Sequence, residues 1–527
     1  MQVPTSVKRF AMDRALDFTL KDARRNLPRL MRAVDIFEGP DTPRTFGSQR
    51  SMIRRVINDP TNNMHQLMMR VIDEVDHDQL KTVFSNFFVN AILNGWNRQN
   101  DLREKYDCNI PWAILLDPTS ACNKHCVGCW AAEYGHSLNL SFDDIDSIIT
   151  QGKALGVYLY IYTGGEPLVR KDDLIRICEK HSDCVFLSFT NGSLLDDAFA
   201  DEMLRVKNFV PAFSLEGNRE VTDSRRGEGA YDEVVAAIER LRKRHLLFGF
   251  SCCYTSENLE SITSEEFFDQ MVAWGAMFVW YFHYMPVGVN AEPKLMPTPE
   301  QRELIYHRIR EYRNTKAIFG MDFQNDGQYI KGCVAGGRRY LHINANGDVE
   351  PCVFIHYSDT NIHEKTLLEA LQDPLFKAYH AGQPFNDNHL RPCPMLENPE
   401  LLRDIVKESG AHSTDLEAEE SVDHLCDKCE EYAKNWQPTA DDLWAKYPPW
   451  WLKGNDESKV VQRQKSPYEQ GMSMSAPCYS CVLSGVCKHD RGENCRGLST
   501  RSALGAGLGL VAGIAATAAL VRHRHRK

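Results

Sequence analysis

Between residues 112 and 286 short apolar runs alternate with longer stretches whose apolar residues recur at helical spacing. The runs 112–116, 157–162, 185–189, 209–215, 248–254 and 277–284 have the length and the β-branched and aromatic content of buried strands. Segments such as 142–155 and 232–244 carry amphipathic helical patterns between them. Six strand–helix units in succession predict an α/β fold, a parallel partial (β/α)6 barrel of TIM-like type. In such architectures reactive groups collect at the carboxyl ends of the strands.

Residues 1–108 show a different pattern. Apolar positions at helical spacing fill 27–37, 51–57, 64–75 and 79–93, with Asp59-Pro60 as a breaker, so this part is expected to be all-helical. Met64, Met68, Met69, Phe84, Phe87 and Phe88 read first as core, with a lipid-binding groove as the alternative. Cys108, alone in its neighbourhood, reads as structural.

Composition narrows the class. A chain of 527 residues divides into several units, and a net charge of −11 with no basic stripe before the last six residues argues against a nucleic-acid partner. The 17 cysteines are clustered, and the start of the chain lacks a charged segment leading into an apolar signal core. Metal or iron–sulfur ligation in a reducing, oxygen-poor cytoplasm is therefore expected rather than a disulfide framework.

The strongest cluster follows the first strand: Cys122, Cys126 and Cys129, spaced Cys-x3-Cys-x2-Cys. Three thiolates can hold three corners of a [4Fe-4S] cube and leave one iron open. Zinc with His125 or His136 as fourth ligand is the alternative for the triad alone. The second strand runs into Thr163-Gly164-Gly165-Glu166-Pro167, where adjacent glycines let the backbone approach a ligand. Triad and GGEP together, in this order, resemble the radical S-adenosylmethionine (radical SAM) superfamily. The resemblance implies that Cys122, Cys126 and Cys129 bind the cluster and that Thr163, Gly164, Gly165, Glu166 and Pro167 receive the methionyl amine. It also places Asn191 and Ser214, at the third and fourth strand ends, near the ribose or methionyl part. Glu216 stands where relatives more often carry aspartate, and Tyr231 follows a segment like the one that leads into the next barrel helix. Arg225 and Arg226 read by default as solvated, with a carboxylate or phosphate contact as the alternative.

Beyond the barrel, Cys333-x13-Gly347-x4-Cys352 encloses Asn346-Gly347, a hairpin signal that brings the two cysteines together. This resembles the opening of the SPASM/Twitch extension and implies an auxiliary iron–sulfur cluster on Cys333, Cys352, Cys426 and Cys429, with Cys393 as a further candidate. A zinc knuckle is the alternative. Residues 397–424 are acidic and read as a loop or helical excursion with a solvated face, and 436–475 as a strap running into a linker. Cys478, Cys481, Cys487 and Cys495 form a second group, for which a second auxiliary cluster and a zinc or mononuclear iron site are equally compatible. Residues 503–521 carry no charge and precede a basic end, so contact with the inner face of a membrane is expected.

The expected organisation is a helical domain (1–108), a radical SAM core (109–325), a SPASM/Twitch-like domain (326–445), a linker with the second cysteine group (446–497) and a tail (498–527). The expected function is reductive cleavage of S-adenosylmethionine to a 5'-deoxyadenosyl radical that abstracts hydrogen from an unactivated carbon. The substrate is expected to be hydrophobic or lipid-like; maturation of a ribosomal peptide is the alternative, and a non-enzymatic electron-transfer module a minor one. A flavodoxin or ferredoxin would supply electrons. No side chain stands out as a general acid or base.

Overall fold

The computed structural model describes residues 4–37 and 47–449. Its centre is a nine-stranded sheet: β1 Ala113–Leu116, β2 Leu159–Tyr162, β3 Val185–Thr190, β4 Phe209–Ser214, β5 Gly249–Tyr254, β6 Phe278–His283, β7 Phe319–Asp322, β8 Tyr340–Ile343 and β9 Val349–Glu350. The order is β7-β6-β5-β4-β3-β2-β1-β8-β9, parallel throughout except for the β8–β9 hairpin. All six expected strands are present. The sheet is an open partial barrel, extended by β7 beside β6 and by the β8–β9 hairpin beside β1.

Alternation along each strand separates two cores. Ile114, Leu116, Tyr160, Tyr162 and Phe186 pack outward with helix residues such as Ile145, Ile149 and Leu174. Ala113, Leu115, Leu159 and Ile161 face the other side, with Cys352, Leu425 and Trp436. The helix Phe142–Leu155 occupies the expected span. It starts at a capping box in which Ser141 Oγ accepts from the Asp144 N–H while the Asp144 carboxylate accepts from Ser141.

The N-terminal part is helical, including a ten-residue π-helix, Asn86–Gly95. Its amides fasten it to the sheet: Asn86 Nδ2 donates to the Ser182 and Cys184 carbonyls at 2.8 and 2.9 Å, and Asn90 Nδ2 to that of Asp183 at 2.8 Å. Of the Met/Phe set, Met69 is buried while Phe84 is exposed and stacks on Phe88 at 5.5 Å. Cys108 is fully buried.

Three expectations for the later chain are corrected. Residues 397–424 hold the helix Pro399–Ser409 and several buried acids, not a uniformly solvated face. Glu397 pairs with fully buried Arg302 at 2.6 Å, and Glu420 with Lys428 at 2.5 Å. Trp436 belongs to the helix Val422–Lys446 rather than to a strap, and its indole is fully buried. Cys426 and Cys429 lie on that same helix, not on a loop knuckle. Among the described residues no helix is long and apolar enough to cross a membrane. The tail 503–521 and Cys478, Cys481, Cys487 and Cys495 lie outside the described residues.

Candidate functional site

The β1 exit is built as a fixed platform for the cysteine loop. Asp117 is buried and accepts from Thr163 Oγ1 at 2.6 Å. The GGEP turn is tied directly to the chain entering the triad: Gly165 N donates to Thr119 O at 3.0 Å and Glu166 N to Ala121 O at 2.8 Å. A Cβ on Gly165 would lie 2.2 Å from Ala121 O, and Gly164 has φ +100°, so only glycine fits this approach.

Cys122, Cys126 and Cys129 are half-buried on one loop. Burial pushes the Cys122 thiol up to about 11 and raises that of Cys129. Metal binding would deprotonate them. Arg225 and Arg226, against the default reading, are not solvated. Arg226 Nη1 lies 3.9 Å from Cys126 Sγ, Arg225 Nε donates to Val127 O at 3.1 Å, and Val127 N donates to Arg225 O at 2.9 Å. Both guanidinia close on the fully buried Glu216, at 2.6 Å from Arg225 and 2.5 Å from Arg226. The contact of Glu216 is thus an internal clamp on the cysteine loop. A donor set of three thiols beside a basic group fits an iron–sulfur cluster that carries thiolate charge.

Both carboxylate oxygens of Glu166 are engaged within the protein. Oε1 accepts from Thr190 Oγ1 at 2.7 Å and Leu168 N at 3.0 Å, and Oε2 from Asn191 N at 2.7 Å. Burial raises its carboxyl above the usual range. Asn191 Nδ2 donates to Asn123 Oδ1 at 2.9 Å, linking the third strand end to the cysteine loop. Ser214 sits half-buried at the end of β4.

The SPASM-like cysteines lie under the concave side of the sheet. The β8–β9 hairpin turns at Gly347 (φ +89°), with His342 paired to Glu350 and Ile343 to Val349. Cys333, Cys352 and Cys393 line one cavity of about 40 Å³ with Phe323, Phe354, Tyr340 and Tyr379. The Tyr340 hydroxyl is 2.7 Å from Cys352 Sγ, and the buried Tyr379 hydroxyl has no partner among the described residues. Cys393 therefore joins Cys333 and Cys352 at the cavity. Cys426 and Cys429 are buried in the same apolar cluster but do not line that cavity, and the Cys426 thiol donates to Pro399 O at 3.2 Å. Three cysteines around a cavity with an orphaned hydroxyl fit a sulfur-ligated group. No group of three or more His, Cys, Asp or Glu among the described residues is arranged to hold a single metal ion.

Sequence reasoning missed the layer between the two regions. Trp130, next to Cys129, makes edge contacts with Phe354, His342 and His356 at 6.2, 5.9 and 6.0 Å between ring centres. His342 is fully buried between Asp117 (2.9 Å) and Glu350 (2.6 Å). Burial works against its charge, but the two carboxylates outweigh it and push the imidazole up to about 10. Phe189, Trp280, Phe282 and Phe323 form a half-buried strip on the concave side, with neighbouring centres 5.3 to 6.0 Å apart, and Phe282 and Phe323 each reach Phe354 at 6.4 Å. Only the period-two placement of Phe189 on β3 and of Trp280 and Phe282 on β6 signalled an inward face; Phe323 follows β7.

This fold and this pairing of cysteine regions define a class. Residues 116–264 match the family model of the radical SAM superfamily, and residues 333–395 that of the SPASM iron–sulfur cluster-binding domain. The chain thus carries a radical SAM domain and a SPASM domain, which imply a [4Fe-4S] cluster with S-adenosylmethionine and auxiliary iron–sulfur clusters. It is similar to the AdoMet-dependent heme synthase of Methanosarcina barkeri, 28% identical over 291 residues that span 50% of this chain and 82% of that protein. It is also similar to the mycofactocin maturase MftC of Mycolicibacterium smegmatis, 26% identical over 277 residues, 49% and 67% of the two chains. The PqqA peptide cyclase of Granulibacter bethesdensis is 24% identical over 254 residues, 46% and 67%.

Proposed function

We propose that this radical SAM enzyme modifies a peptide, seating one side chain of it on the aromatic strip between the two cysteine regions. The strip carries the reading: Phe189 stands two residues before Asn191 at one end, and Phe323 and Phe354 line the Cys333–Cys352–Cys393 cavity at the other. The likeness to a PqqA peptide cyclase and to a maturase supports a peptide. The hydrophobic or lipid substrate expected from the tail and the Met/Phe-rich N-terminal helices has no counterpart in these relatives and gives way to the peptide.

When bound, the cluster and S-adenosylmethionine supply a carbon-centred radical that takes hydrogen from an unactivated carbon. In the proposed arrangement Cys122, Cys126 and Cys129 hold the cluster. The Gly164–Gly165 backbone receives the methionyl amine, because the Glu166 carboxylate is already committed to Thr190, Leu168 and Asn191. Asn191 and Ser214 contact the ribose or methionyl part. Arg226 offsets thiolate charge at Cys126. The aromatic strip keeps water from the reacting carbon.

A flat macrocycle is the second reading, favoured by the same strip and by the likeness to an AdoMet-dependent heme synthase. The test is anaerobic reconstitution followed by reductant-dependent 5'-deoxyadenosine formation, with candidate peptides read by mass spectrometry and iron coproporphyrin read by its Soret band. A peptide mass change supports the first reading. A porphyrin-only response replaces it, and absence of 5'-deoxyadenosine from protein with an intact cluster removes both.

A further inference from the structure

At the amino-terminal edge of the sheet, on the side away from the cysteine loop, three arginines gather without a carboxylate. The guanidinium carbons of Arg103 and Arg339 lie 5.3 and 4.7 Å from the centre of the same indole, Trp96. Arg338 adjoins them and is held by the Cys333 and Ile330 carbonyls at 2.5 and 3.0 Å. The Arg339 carbonyl accepts from Trp112 N and Ala113 N at 2.7 and 2.9 Å, which fixes this arginine at the entry to β1.

Several other enclosed arginines among the described residues are neutralised, while Arg310 is satisfied by the uncharged oxygens of Tyr329, Tyr306, Asn325 and Gln328. Arg302 meets Glu397, Arg313 meets Asp326, and Arg225 and Arg226 meet Glu216, each within 2.7 Å. Among the described residues none of Arg103, Arg338 and Arg339 forms an ion pair, and each spends only one or two of its N–H groups on carbonyl or amide oxygens. A second observation points the same way: Trp96 Nε1 is a buried donor with no acceptor. Burial and mutual repulsion hold Arg103 near 10 and Arg339 near 9, the reverse of what a carboxylate partner would do. Partly desolvated cations with spare donors, beside an orphaned N–H, lack an acceptor that carries negative charge.

We propose that Arg103, Arg338, Arg339 and the Trp96 N–H form a binding site for a phosphate group. A tetrahedral oxyanion takes donors from several directions at once, as guanidinium forks and an indole N–H can supply, whereas a carboxylate takes them in one plane. The phosphate is either free or carried on a small ester. By holding α-helical residue 103 to the β1 and β8 entries at 112 and 339, it joins the N-terminal helices to the sheet.

The test uses the anaerobically purified full chain. Thermal unfolding is followed in inorganic phosphate, glycerol phosphate, acetate and chloride at matched ionic strength. A saturable rise in Tm of roughly 2–4 °C is expected with phosphate or its ester and not with acetate or chloride. A response to glycerol phosphate alone assigns the site to an ester. Arg339→Gln and Arg103→Gln should each abolish the rise, and Arg339→Lys should weaken it. Equilibrium dialysis of labelled phosphate against the unaltered protein gives an independent readout, with one saturable site expected. Equal Tm in phosphate and chloride, no saturable uptake, or an undiminished rise in both glutamine variants overturns the proposal.

Discussion

Glu216→Gln isolates the clamp that holds the cysteine loop. Glu216 Oε1 is shared by Arg225 and Arg226, and the carboxylate is fully buried. Glutamine keeps the shape but removes the charge, leaving two guanidinia buried side by side. Breaking a buried ion pair by removing one partner costs about 3–5 kcal/mol. The damage extends to the metal region, because Arg226 also stands 3.9 Å from Cys126 Sγ and Arg225 holds Val127. At an effective dielectric constant of 20, a guanidinium 3.9 Å from a thiolate contributes roughly 4 kcal/mol, so a displaced Arg226 also weakens metal retention. The assay is anaerobic denaturant unfolding with iron content measured on the same samples. The expected result is a loss of about 3–5 kcal/mol together with iron lost from the triad. A variant within about 1 kcal/mol of the parent, with full iron, would falsify the account of the clamp.

Gly165→Ala should cost about 1–3 kcal/mol by overpacking against Ala121 O and should lower 5'-deoxyadenosine formation, which is measured against the unaltered enzyme. Cys393→Ser should remove auxiliary iron as fully as Cys352→Ser does, by iron and sulfide analysis; full iron in Cys393→Ser would separate it from the cavity group. His342 has a folded pKa of about 10, raised above its ordinary value near 6.5, so its ion pairs contribute fully below about pH 6.5. That contribution declines as pH rises and is gone above about 10, so unfolding free energy should fall between these values and His342→Gln should flatten the fall. A parallel pH profile for parent and variant counts against the charged imidazole.

Six strands and the helix Phe142–Leu155 were legible because period-two and 3.6-residue patterns act locally and each buried face was apolar. Cys122, Cys126, Cys129 and the GGEP turn were legible because spacing within one loop encodes its chemistry. His342, Glu350 and Asp117 were not, since nothing local marks two residues on β8 and β9 and one just past the end of β1 as partners. The arginines at 225 and 226 were read as solvated because paired basic residues usually are; their partner, Glu216, is nine and ten residues away and becomes visible only when the chain turns back. Residues 397–424 misled for a related reason: an acidic run looks solvated until Arg302 and Lys428 arrive from elsewhere.

The strand that follows the radical SAM region in sequence, β8, lies against β1 in space, and β1 leads directly into the triad. A chain cut after residue 325 would bare the backbone groups along one side of β1 and uncover Leu115 and Trp130 together. Such an unsheathed margin recruits other chains, so the truncated fragment should precipitate rather than persist as a smaller enzyme. The downstream segment is thus a structural prerequisite of the first metal-binding loop as well as a seat for further iron.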